Sequence, residues 1–145
     1  MATIRDILAI KGRHVASISP DATIYEAAER MNDDKIGSLV VLDHGRLVGI
    51  ITERDILQRV VAQRLDAGAA HVADVMTTSL MCCRTHTSVD EARGVMKNRR
   101  IRHLPVVDES DELLGVVSIG DLNAYQANSQ EQTIYFLQEY IIGRV

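Results

Sequence analysis

Residues 24–43 read IYEAAERMNDDKIGSLVVLD, and residues 89–108 read VDEARGVMKNRRIRHLPVVD. Set 65 residues apart, Glu26 falls on Glu91, Ala27 on Ala92, Met31 on Met96, Ile36 on Ile101, Leu39 on Leu104, Val41 on Val106 and Asp43 on Asp108. One extra residue in the second turn moves the offset to 66. Residues 47–56, LVGIITERDI, then lie on 113–122, LLGVVSIGDL. A repeat of this length is a supersecondary unit used twice, and it constrains the fold before any single segment is assigned.

Local signals order the elements within each copy. Thr23 and Ser88 stand three residues before Glu26 and Glu91. That spacing is a capping box, and it opens a short amphipathic helix reaching about Met31 or Met96. The periodicity then changes to continuous apolar runs, 39–42 and 104–107, each followed by turn residues and a second run at 47–51 or 113–117. This is the pattern of a buried hairpin. Thr52 and Ser118 take N-cap positions of a second helix, expected over about 53–64 and 119–127, with Asp55 and Asp121 in its first turn. With a short strand ahead of the first helix, at 15–18 and 80–83, each copy becomes βαββα. The hairpins are too apolar to stand alone, so the expectation is an α+β fold in which the two βαββα repeats bury their sheets with pseudo-twofold symmetry, plus terminal helices. By sequence, 1–65 holds an N-terminal extension and the first motif, 66–127 a small-residue linker and the second motif, and 128–145 a C-terminal amphipathic helix carrying Ile134, Leu137 and Ile141 on one face.

Composition narrows the function classes. The net charge of −4, the absence of Trp and the single Phe argue against a general nucleic-acid groove or a base-stacking platform. No stretch reaches the length of a membrane span, and the N-terminus lacks a basic start followed by an apolar run, so a cytoplasmic protein is expected. Cys82 and Cys83 are adjacent, which suits neither a disulfide framework nor a metal clip. The five histidines are scattered, and no metal is expected. No nucleophile–base pair stands at a recognisable spacing, so no enzymatic reaction is expected.

The chain of capping box and helix, apolar-x-Pro/Val-Val-Val-Asp, turn, and Gly-apolar-apolar-Thr/Ser-x-x-Asp resembles the CBS motif, and its tandem use resembles a Bateman module over roughly residues 3–127. The resemblance implies binding of an adenine nucleotide (AMP, ADP, ATP, S-adenosylmethionine or NAD(H)) without chemistry on it. It also implies a homodimer and an effector protein on another chain. A ligand-free dimerisation module, or one that contacts RNA or protein, is the alternative.

The motif has a physical rationale of its own. Gly49 and Gly115 permit close approach of a strand to a neighbour, where backbone groups can meet a flat base edge. The hydroxyl of Thr52 or Ser118 and the N–H groups of the first helical turn offer a phosphate site, while Asp55 or Asp121 can accept from ribose hydroxyls. The same Ser/Thr-x-x-Asp spacing also serves as a plain helix cap, and it is the duplication in matched context that favours a ligand role. In the family, the aspartate of one repeat faces the lead-in and the helix-to-strand turn of the other. That implies one cleft of Thr52, Arg54 and Asp55 with Thr77, Thr78, Ile101, Arg102 and His103, suited to a charged nucleotide. The second would join Ser118, Gly120 and Asp121 to Lys11, Gly12, Ile36, Gly37 and Ser38, with fewer cations and room for a nucleoside end. The basic run 99–103 reads equally well as a solvated helix end.

Overall fold

The computed structural model describes residues 1–12 and 14–127; the C-terminal helix expected at 128–145 lies outside the described residues. Its elements run α1 (Ile4–Lys11), β1 (Ser17–Ile18), α2 (Ile24–Asp34), β2 (Ser38–Asp43), β3 (Arg46–Thr52), α3 (Glu53–Ile56) continuing as a π-helical turn (Leu57–Val61), α4 (Val72–Val75), α5 (Val89–Arg99), β4 (His103–Val107), β5 (Leu113–Ser118) and α6 (Ile119–Ala127). This is the mixed α+β order expected, with the two copies aligned element by element.

The repeated sequence builds repeated geometry. Thr23 and Ser88 accept from the N–H groups of Glu26 and Glu91 at 3.1 and 3.0 Å, starting α2 and α5. Ile24, Ala27 and Met31, like Val89, Ala92 and Met96, share the buried face of their helix at the spacing an amphipathic helix requires. Each helix runs one turn beyond the methionine. Each ends on a left-handed residue, Lys35 (φ 55°) or Arg100 (φ 54°), and Ile36 N–H to Met31 O and Ile101 N–H to Met96 O close the final turn at 3.0 Å. The β2–β3 hairpin turns on His44 and Gly45, both at positive φ, which is the backbone a two-residue turn needs between right-twisted strands. Both hairpins shift register at the same place, between Val41 and Leu42 and between Val106 and Val107.

The strand expected at 15–18 is confined to Ser17–Ile18, and two further elements come out shorter for local reasons. The strand at 80–83 reduces to a single parallel bridge from Cys83 to Val106, through Cys83 N–H to Pro105 O (2.9 Å) and Val107 N–H to Cys83 O (3.0 Å). In the first copy Val40 N–H reaches Ala16 O at 3.1 Å and carries the ladder onward. The matching residue in the second copy is Pro105, which has no N–H to give. The helix expected to continue to about Arg64 changes to i→i+5 bonding at Leu57, where Ala62 N–H meets Leu57 O, and ends at Val61.

Packing divides the described residues into two units, 14–81 and 1–12 with 82–127. The first is built on Ile24, Leu39, Val41, Ile51, Val60, Val72 and Val75, and the second on Ile4, Ile7, Leu8, Val89, Leu104, Val106, Val117 and Leu122. Each unit therefore takes its lead-in helix from the other end of the sequence repeat. Backbone bridges fix this exchange. Val72 N–H to Ala22 O and Ile24 N–H to Ala70 O tie α4 to the first motif at 2.8 and 2.9 Å. Ile4 N–H to Thr87 O and Val89 N–H to Ala2 O tie α1 to the second at 2.9 and 3.0 Å. The 65/66 boundary is thus a boundary of sequence repetition, and the packed units are drawn across it.

Candidate functional site

Each unit places a Ser/Thr and an Asp at the mouth of its second helix, beside a glycine-bearing strand. In the unit of the first motif, Thr52 Oγ1 accepts from Asp55 N–H at 3.1 Å and Asp55 Oδ2 accepts from Thr52 N–H at 3.0 Å. In the other, Ser118 and Asp121 repeat this reciprocal cap at 3.1 and 2.8 Å. Both carboxylates thus serve as helix caps, and in the first motif the aspartate is nearly buried, its side chain 11% exposed against 25% for Asp121.

The second oxygen of Asp55 accepts from Thr77 Oγ1 at 3.1 Å, so of the lead-in residues expected near this carboxylate Thr77 is in place. Thr77 also pairs its backbone with Ile50, by N–H to Ile50 O at 2.8 Å and by its carbonyl from Ile50 N–H at 3.0 Å. The strand backbone next to Gly49, where a base edge was expected to be met, is engaged at Ile50 by Thr77. Close approach explains Gly49: an added Cβ would lie 2.6 Å from Met76 Sδ and 3.0 Å from Thr77 O. Gly115 stands in the same relation to α1, its added Cβ falling 2.9 Å from Leu8 Cδ2. Arg59, which the sequence reading passed over, donates to Val75 O at 3.0 Å and brings its Nε within 4.0 Å of Asp55 Oδ1. Its only sequence signal was the i+4 spacing from Asp55.

At the other mouth the donor is a cation. Lys11 Nζ reaches Asp121 Oδ2 at 2.6 Å and Val116 O at 2.7 Å. Partial burial alone pushes the Asp121 carboxyl up, but the hydrogen bond and charge of Lys11 and the N–H of Ser118 outweigh it and hold the carboxyl below its ordinary range. Lys11 was expected here; Gly12 follows it as the C-cap of α1 at φ 85°.

The first-turn amides are largely spent inside each unit. Glu53 N–H goes to Gly37 O at 3.0 Å and Ile119 N–H to Arg102 O at 2.9 Å, while Asp55 and Asp121 N–H go to the cap hydroxyls. Among the described residues this leaves the N–H groups of Arg54 and Gly120 without a protein acceptor, a narrower phosphate site than a fully open helix terminus. Ile36, Gly37 and Ser38 belong to the unit of Asp55, and Ile101, Arg102 and His103 to that of Asp121. Arg54, Thr78 and Arg102 are exposed.

Away from the helix mouths, Cys83 is buried with its thiol pushed up to about 12, and the exposed Cys82 is also raised, by burial of its sulfur and by Asp111. Among the described residues no group of three His, Cys, Asp or Glu side chains is arranged to hold a metal, and no helix is long and apolar enough to cross a membrane.

The CBS-domain family model matches residues 4–62 and 72–128, one match for each lead-in, hairpin and Ser/Thr–Asp helix. The chain belongs to the CBS-domain family. As a CBS pair it is similar to the CBS domain-containing protein YhcV of Bacillus subtilis, at 36% identity over 90% of this chain and 89% of that protein. Among solved structures it is similar to a putative signal-transduction protein with CBS domains from Burkholderia ambifaria, with a TM-score of 0.83 and 35% identity over 89% of this chain and 97% of that one. It is also similar to the CBS domain pair of protein MJ0100, solved with 5′-methylthioadenosine and S-adenosyl-L-methionine, with a TM-score of 0.72 and 27% identity over 86% and 95%.

Proposed function

We propose that this CBS pair is a sensor that binds an adenine nucleotide (AMP, ADP, ATP, S-adenosylmethionine or NAD(H)) and carries out no reaction on it. One observation carries the reading. In both copies a carboxylate at a helix mouth and an outward strand carbonyl, Asp55 with Ile50 and Asp121 with Val116, converge on donors supplied by one residue. A ribose offers hydroxyl donors of the kind Thr77 places on Asp55, and the amide of Arg54 or Gly120 lies one residue from the cap hydroxyl, where an attached phosphate needs a donor. Arg54 and Thr78, in the unit of Asp55, are exposed and available to the charged end of a ligand there. The adenosine-bearing ligands of the MJ0100 domain pair support the same class. We further propose a homodimer. Leu57 and Val61, 61% and 62% exposed on the π-helical turn, form the apolar surface that a second copy would cover.

A thermal-shift panel of the five ligands tests the reading. A ligand at a hundred times its dissociation constant stabilises the native state by about 2.7 kcal/mol. For a chain of this size that raises the melting temperature by roughly 5–10 °C. Absence of a shift with every member, confirmed by absence of heat in calorimetric titration, would remove the nucleotide function and leave the architecture standing.

A further inference from the structure

The two helix mouths share their acceptors and differ in their donor. At the first, Thr77 supplies two neutral donors, its main-chain N–H to Ile50 O and its hydroxyl to Asp55, from a residue anchored by a backbone bridge. At the second, Val116 O and Asp121 Oδ2, the oxygen that also accepts from Ser118 N–H, are both held by the single ammonium of Lys11. The cause lies in the lead-in helices. α4 stops at Val75 and Met76 turns extended (ψ 154°), so Thr77 can pair with β3. α1 continues as a helix to Lys11 before Gly12 ends it, which brings a long side chain rather than a backbone to β5. A bridged backbone is fixed. A lysine side chain rotates, and this pair is about one-third and one-quarter exposed, open to exchange with solvent and solute.

That difference has a consequence for ligand choice, resting on the nucleotide reading above. A ribose that presents both of its hydroxyls to Asp121 takes both carboxylate oxygens, Oδ1, which has no protein donor among the described residues, and Oδ2, which Lys11 now fills beside the Ser118 N–H. An uncharged nucleoside leaves the ammonium without a counter-ion, whereas a phosphorylated one brings a new anion for it. Gly120 N–H, with no protein acceptor among the described residues, lies at the same helix mouth to share that anion. We propose that Lys11 is a displaceable latch on the Asp121 site, passing from the carboxylate to the ligand's phosphate and thereby making this site selective for phosphorylated over unphosphorylated nucleosides. The Asp55 site, closed by neutral donors, carries no such selection through its lead-in.

Amide NMR titration of the full chain with adenosine and with AMP separates the two sites, because Gly120 and Val116 report one and Arg54 and Ile50 the other. In the unaltered protein, AMP is expected to bind at Gly120 at least about tenfold more tightly than adenosine. In Lys11→Met the adenosine affinity rises and the AMP affinity falls, so that the ratio approaches one. Lys11→Arg, which keeps the cation, retains the preference, and the ratio at Arg54 is the same in all three proteins. An unchanged ratio at Gly120 in Lys11→Met overturns the latch, as does a Gly120 that stays silent while Arg54 responds, and both leave the nucleotide reading intact. Silence at both sites with both ligands overturns the two together.

Discussion

Asp55 and Asp121 occupy the same place in the repeated motif, yet truncating them should cost different amounts. Asp55→Ala removes a helix cap, worth about 1 kcal/mol. It also removes the charged acceptor of the Thr77 hydroxyl in a nearly buried setting, where a bond to an ionised group contributes roughly 1.5 kcal/mol or more. The expected loss is about 2.5 kcal/mol. Asp121→Ala loses the same cap, but its second interaction is the partly exposed Lys11 pair, which adds between about 0 and 1 kcal/mol. The expected loss is therefore about 1–2 kcal/mol. Urea unfolding at neutral pH, followed by circular dichroism, measures both, and calorimetry should place the Asp55 variant roughly 5–10 °C below the parent and the Asp121 variant about 3–5 °C below. Combining Asp55→Ala with Thr77→Val, which deletes the hydroxyl at nearly constant volume, should recover a coupling of about 1 kcal/mol. Equal losses for the two aspartates, or no coupling to Thr77, would refute the argument that the tertiary partner rather than the motif sets the energetics.

The glycines give a parallel test. Gly49→Ala drives a Cβ into the backbone carbonyl of Thr77 as well as Met76 and should cost about 1–3 kcal/mol, whereas Gly115→Ala meets only the movable end of Leu8 and should cost less, read as a smaller fall in the urea midpoint. The Lys11 pair predicts a pH dependence. Because the folded Asp121 carboxyl is held below its unfolded value, its contribution is fully present above the unfolded value and fades as pH falls toward the folded one. The stability gap between the parent and Lys11→Met should therefore be at most about 1 kcal/mol at neutral pH and shrink near pH 3. A gap that is undiminished in acid would assign it to something other than this pair.

Much of this architecture is legible in the chain because the sequence states it twice. Caps, amphipathic spacing and hairpin runs are local, and matching copies reinforce each local reading, so α2, α5 and both hairpins fall where the residues place them. What escapes is what depends on a distant partner. Pro105 reads as an ordinary strand residue until Cys83 bridges Val106 beside it, where the missing N–H of Pro105 leaves the parallel ladder at a single bridge. The π-helical turn after Ile56 leaves no sequence mark, since its residues suit an ordinary helix. The site divides in the same way. The hydroxyl–carboxylate pairs and the glycines were visible from spacing, but Arg59 at Asp55 and the loss of the Ile50 backbone to Thr77 were not.

The sequence by itself determined that there are two equivalent motifs and which residues sit at their helix mouths, because those are questions of short-range periodicity and capping. Only the tertiary structure decided what each mouth holds. The lead-in helices pack across the sequence repeat, and a difference of one helical turn between α1 and α4 delivers a lysine ammonium to Asp121 and a bridged threonine to Asp55. Contacts between segments far apart in the chain depend on helix length and packing together, and nothing in the spacing of either motif encodes that sum.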